Sequence, residues 1–169
     1  NDWNIIFAPF AAAMVYGSLA DAISTYHEEC SKHDNPERRA MCSYFIHIAD
    51  TPEEEAYGRE SLIRYFHDAL LAAFPSDIKK MPPTMHYFIE IVDILKNMKP
   101  ENLTGKSILT GSTQAIIEQL KEVEASGVSE VILYFNYGLK PDSMVREQMD
   151  RFMREIAPSF QGAHSSLKL

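Results

Sequence analysis

MCSYFIHIADTPEEEAYG, residues 41–58, decides the fold class. Met41 to Ala49 is rich in aromatic and β-branched side chains and carries no formal charge, the composition of a strand covered on both faces. Thr51, Pro52 and Glu54 then stand where a helix needs its N-cap, N1 and N3 residues. The Thr51 hydroxyl accepts the N3 amide, Glu54 reaches back to the cap, and proline at N1 gives up only a donor that would have no partner. Glu53 to Glu55 also meet the positive end of the helix dipole. The helix is predicted to run to about Phe74.

Working outward, the strand-then-helix unit recurs on both sides. Asn4 to Phe10 is a predicted strand with Pro9 near its end, where a missing ladder donor is tolerated. Leu19, Ile23, Tyr26 and Cys30 follow at helical spacing. Downstream, PSDIKKMPPT breaks the pattern, and Tyr87, Phe88, Ile91, Ile94, Leu95 and Met98 mark a helix that reads as an insertion over 75–105. SILTGS is a short extended piece, Ser112 caps a helix bearing Ile116, Leu120 and Val123, and Gly127 sits where a left-handed residue ends it. VSEVILYFNYG is a third buried strand. Pro141 and Asp142 open a last helix with Val145, Met149, Phe152 and Ile156 expected inward. Residues 1–160 read as one domain, and 161–169 as a disordered tail.

This alternation predicts an α/β fold with a parallel sheet and right-handed crossovers. Three buried strands do not complete such a layer, so further strands or another subunit are expected to cover it. The start at NIIFAPF, with no lead-in, points the same way, toward a chain cut from a longer protein.

Composition excludes some classes. With 24 acidic against 16 basic residues the net charge is −8, and no basic stripe offers a footprint for nucleic acid. No apolar run approaches the roughly 20 residues of a membrane span. The first residues lack the basic flank of a signal peptide, so a cytoplasmic setting is expected. Cys30 and Cys42, the 2 cysteines, are expected as buried thiols in a reducing compartment.

Three stretches in order, FIHIADTPEEEAYG (45–58), ILTGSTQAIIEQLKEVEASGVSEVILYFNYG (108–138) and MDRFMREIAP (149–158), resemble the late part of the bacterial luciferase-like flavin-dependent monooxygenases. Thr113 departs from the family's usual proline, and the 75–105 segment varies in such barrels. FAPFAAAMVYGSLADAI and LYFNYGL also look like members from polyketide and peptide natural-product pathways. The resemblance implies a partial (β/α)8 TIM-type barrel, about its last three βα units. It implies FMN, reduced in the intact parent, and O2 as the oxidant that delivers one oxygen atom to a small organic substrate. A flavin reductase partner is possible in such a system, and a homo-oligomer is expected. The family's main phosphate contacts and best-known catalytic positions come from earlier strands, so no catalytic residue is carried over, and the isolated chain is expected to be inactive.

In a barrel the C-terminal strand ends face the active site. That nominates Pro9, Phe10, His47, Asp50, Asn136 and Tyr137, with Phe45 alongside if Ser43, Phe45 and His47 share the inner face by the period of two. His47 is the candidate catalytic group, although a histidine satisfied in the core is the commoner occurrence. Asn136, Tyr137 and Gly138 are equally a turn in which Asn and Gly take positive φ. Ser112, with Gly111 and Thr113, begins a helix that could meet a phosphate, while simple capping explains it as well. His27, Cys30 and His33 lack a fourth ligand, so no metal is expected. The competing function is a non-catalytic α/β binding or assembly module that keeps the barrel pattern without flavin.

Overall fold

The computed structural model describes residues 5–9, 12, 17–33, 39–75, 77 and 80–160. Its centre is β2, Ala40–Ile48, the uncharged strand that opens the deciding stretch. Three further strands pair with β2, all in parallel: β1 (Ile5–Phe7), β3 (Ile108–Gly111) and β4 (Glu130–Tyr134). Met41 and Cys42 have partners in both β1 and β4, and Phe45 has partners in both β3 and β4. A strand residue has one neighbour per side, so β4 follows one edge of β2. β1 and β3 share the other edge, beside its two halves.

Strands β1, β2 and β4, the three expected from the sequence, lie side by side in that order, and β3 joins β1 on the other edge of β2. SILTGS also contributes a full member of the sheet, so the described strands number four rather than three.

The edge beside β4 has a finish that hydropathy does not signal. β4 stops at Tyr134, opposite Phe45, leaving the outward backbone groups of Ile46 and Ile48 without a strand. Side chains take over. The Tyr137 hydroxyl donates to the Ile46 carbonyl at 3.3 Å. The Gln148 amide brackets Ile48: its Oε1 accepts from the Ile48 N–H at 2.7 Å, and its Nε2 donates to the Ile48 carbonyl at 2.9 Å. This corrects the expected inward face of the last helix, α5 (Asp142–Arg151): Gln148 is buried there and Met149 is exposed. A polar residue goes inside because the backbone it meets has no other partner.

The alternate residues Ala40, Cys42, Tyr44, Ile46 and Ile48 form one core with Ile23 of α1 (Leu19–Lys32), with Ile116, Leu120 and Val123 of α4 (Thr113–Ala125), and with Ile156. Burial there pushes the Cys42 thiol up to about 12. Cys30, expected to be buried, is only partly covered. The opposite face of β2 carries Phe45, packed with Leu62 of α2 (Pro52–Tyr65), Phe66, Leu95 of α3 (Ile89–Asn97), Ile108 and Tyr137. α2 continues through a π turn at Phe66–Leu70 and a 3₁₀ turn to Ala73, close to its expected end. Helices therefore cover both faces, where a barrel arc would leave its inner face bare.

Part of that second face is open. Register places Ile6 beside Met41, Ile132 beside Ser43 and Tyr134 beside Phe45, and Ile6, Ile132 and Tyr134 are 51%, 37% and 46% exposed. Ile5 and Phe7 fall on the other face, where Phe7 packs on the first core. Among the described residues no strand pairs with the outer edge of β4. None of the helices in the described residues is long and apolar enough to cross a membrane. The expected tail, 161–169, and the Asn4 start of β1 lie outside the described residues.

Gln148→Leu would strand a buried N–H and carbonyl, so a loss of roughly 2–3 kcal/mol in unfolding free energy is expected from urea denaturation. Met149→Ala, one position along, should cost less than about 0.5 kcal/mol.

Candidate functional site

The capping box that starts α2 forms as the sequence predicts, Thr51 Oγ1 accepting from the Glu54 amide at 3.2 Å and the Glu54 carboxylate accepting from the Thr51 amide at 3.3 Å and from Asp50 N at 2.7 Å. From that start α2 lies down on the C-terminal end of β2, and two glycines allow the approach. A Cβ on Gly58 would stand 2.5 Å from Cδ2 of His47, and one on Gly138 would stand 2.0 Å from the Ser61 carbonyl oxygen. Gly138 also has φ +65°, and Leu139 after it +60°. The left-handed pair of this turn is thus Gly138 and Leu139, not Asn136, which is exposed with ordinary φ.

Beneath α2, His47 is 2% exposed with its ring 5.8 Å from that of Tyr57. Burial, helped by the charge of Lys140, lowers its pKa to about 4 against the opposing pull of Glu54, so the imidazole is neutral at pH 7. Its Nδ1 is buried with no hydrogen-bond partner among the described residues. Lys140 is itself buried, its Nζ 3.5 Å above the Tyr137 ring, and burial lowers its pKa to about 7. Tyr137 is buried with its hydroxyl committed to β2, and burial raises its pKa.

Two clefts lie beside β2, one at its C-terminal end and one over its middle. One, of about 390 Å³, lies between α2 and α5 and is lined by His47, Glu53, Tyr57, Glu147 and Arg151 among others. Its guanidinium is already engaged: Arg151 donates to Asp50 at 2.6 Å and to Glu155 at 3.0 Å, which holds the Glu155 carboxyl down at about 2. The other cleft, of about 220 Å³, is apolar and lies over Phe45, with Pro9, Phe66, Phe88 and Ile91 in its walls. The structure thus brings Pro9 and Phe45 together and places His47 in a separate cleft, with Tyr137 edge-on to Phe45 at 5.2 Å. Phe10 lies outside the described residues. Asp50 is exposed and serves Arg151.

Ser112 does the simpler of its two expected jobs. Its Oγ accepts from the Ala115 amide at 3.3 Å, and the neighbouring Thr113 hydroxyl donates to the Glu155 carboxylate at 3.0 Å. That carboxylate is itself paired with Arg151 and Arg154. Sequence reasoning missed Lys140, Gln148 and the two close glycine contacts. Only NYGL, with its turn signature, marked the place.

No family model and no curated protein matches the sequence. Among solved structures, the fold is similar to that of the monooxygenase RslO1 from Streptomyces bottropensis, with a TM-score of 0.61 at 14% identity. The match covers 92% of this chain and 41% of that one, so the chain spans less than half the length of this structural neighbour.

Gly58→Ala should destabilise the protein by about 1–3 kcal/mol through its clash with His47, and the cost should shrink when His47 is also alanine. His47 takes up protons in the unfolded chain near pH 6.5 but in the fold only near pH 4. Its contribution is therefore present above pH 6.5 and lost as pH falls from 6.5 toward 4. A histidine-selective NMR titration alongside denaturation curves in that window checks both.

Proposed function

We propose that this chain is the C-terminal portion of an FMN-dependent, luciferase-like monooxygenase whose intact form adds one oxygen atom from O2 to a small organic substrate. The observation that supports this most is a coincidence of two independent signals. The ordered motifs of 45–58, 108–138 and 149–158 resemble that family, and the chain that carries them shares its fold with a monooxygenase over 92% of its length. FMN would be held mainly by parts of the longer protein beyond this chain, because the resemblance puts the family's main phosphate contacts on earlier strands. In that longer protein further strands would continue the open edge of β4, as the expected (β/α)8 barrel requires.

Within this reading the chain's own contribution is the apolar cleft over Phe45, which would hold the body of the substrate away from water, and the neutral His47 at the end of β2. His47 lines the cleft between α2 and α5, where a bound group would meet the neutral imidazole. The engagement of the Ser112 and Thr113 side chains within the fold favours the second reading, a non-catalytic α/β binding or assembly module. In either case Ile6, Ile132 and Tyr134 offer an apolar face suited to a second copy.

The purified chain should show no FMN quenching at micromolar flavin, whereas a longer protein containing it should bind FMN and consume O2 when reduced flavin and substrate are supplied. Micromolar binding by the chain alone would overturn the divided site, and a longer protein without flavin affinity would leave the assembly-module reading standing. In the longer protein, His47→Ala should lower turnover more than stability. Unchanged turnover with a lowered Tm would assign His47 to packing. Sedimentation at micromolar concentration should show the chain as a dimer or larger, and a stable 19.2 kDa monomer would remove the apolar face as a self-association surface.

A further inference from the structure

The cleft over Phe45 is apolar but not uniformly so. Its walls are Ala8, Pro9, Phe45, Phe66, Leu70, Phe88, Ile91 and Leu95, and its remaining lining residues are Ser43, Lys106 and Ser107. Ser43 projects from β2 on the same face as Phe45, and Lys106 and Ser107 come from the turn that enters β3. Among the described residues the two hydroxyls and the Lys106 ammonium make no side-chain hydrogen bond or ion pair. Lys106 is exposed and stands between this cleft and a second one lined by Tyr44 and Glu122. No carboxylate lines the cleft.

Ligand sites of small molecules are mostly apolar concavities with a few convergent polar groups that fix orientation. Here one ammonium and two hydroxyls can all donate, and a fixed negative head is the complement of such a set. A single ammonium matches one charge, which favours a carboxylate over a phosphate dianion. The apolar walls include the rings of Phe45, Phe66 and Phe88, whose faces and edges suit a flat aromatic body. At about 220 Å³ the space takes a compact ligand rather than a long chain.

We propose that the cleft over Phe45 is a binding site for a small aromatic carboxylate, its ring among Phe45, Phe66 and Phe88 and its carboxylate on Lys106, Ser43 and Ser107. The site needs no flavin, so it stands apart from the monooxygenase reading. If that reading also holds, this ligand defines the substrate class.

The experiment is calorimetric titration of the chain with 2-naphthoate, with 2-naphthalenemethanol as the neutral counterpart of the same body. Naphthoate should bind more tightly than the alcohol. Lys106→Met should weaken naphthoate about five- to tenfold and leave the alcohol unchanged. Ile91→Trp, which fills the cleft, should weaken both. Circular dichroism of each variant verifies that it is folded, and Ile91→Phe replaces Ile91→Trp if the larger ring unfolds the chain. Equal affinities for acid and alcohol, no effect of Lys106→Met, or no binding of either probe would overturn the proposal. None of these readouts depends on flavin, so failure here is distinguishable from failure of the monooxygenase reading.

Discussion

The two saturated edges of β2 are the constraint on which the rest of the structure depends. A strand buried on both faces has no water to satisfy its backbone, so every outward N–H and carbonyl must find a protein partner. β1 and β3 share one edge. The other begins with β4 and ends with the Tyr137 hydroxyl and the Gln148 amide. Those two side chains tie the turn after β4 and the middle of α5 to the same strand. Removing strand partners from Ile46 and Ile48 also leaves room at the C-terminal end of the sheet, and His47 sits between them.

Helix α2 converts that room into a closed environment. It can lie against His47 and against the turn after β4 only because Gly58 and Gly138 have no Cβ. The consequence is chemical as well as steric: a histidine and a lysine are both held toward their neutral forms by burial, one near the end of β2 and one in the turn beyond β4. Ionisable groups so displaced cluster at functional sites, although structural burial displaces them too. Geometry therefore has to decide, and the cleft between α2 and α5 gives His47 an approach.

Helix placement is what separates the expected barrel arc from the observed sheet. In an arc the helices stay outside. Here the most apolar strand takes partners on both edges and helices on both faces, because it has the most surface to hide. What remains open is the half of the face where Ile6, Ile132 and Tyr134 stand, beyond the reach of α2 and α3.

Read alone, the sequence determined the elements and their type. The capping box at Thr51, the Ser112 cap, the left-handed Gly127 and the uncharged, aromatic-rich run of β2 are local features, settled by residues a few positions apart, and each appears where it was expected. The pairing of β4 with β2, the inward turn of Gln148 in place of Met149, the burial of His47 beneath Gly58 and the convergence of Pro9 with Phe45 were decided only by tertiary structure. Each depends on residues far apart in the chain: Gln148 lies 100 positions from the Ile48 backbone it satisfies. Hydropathy ranks a glutamine as a surface residue and a methionine as a core one. It carries no record of which backbone groups a distant strand will leave unpaired, and that demand chose between them.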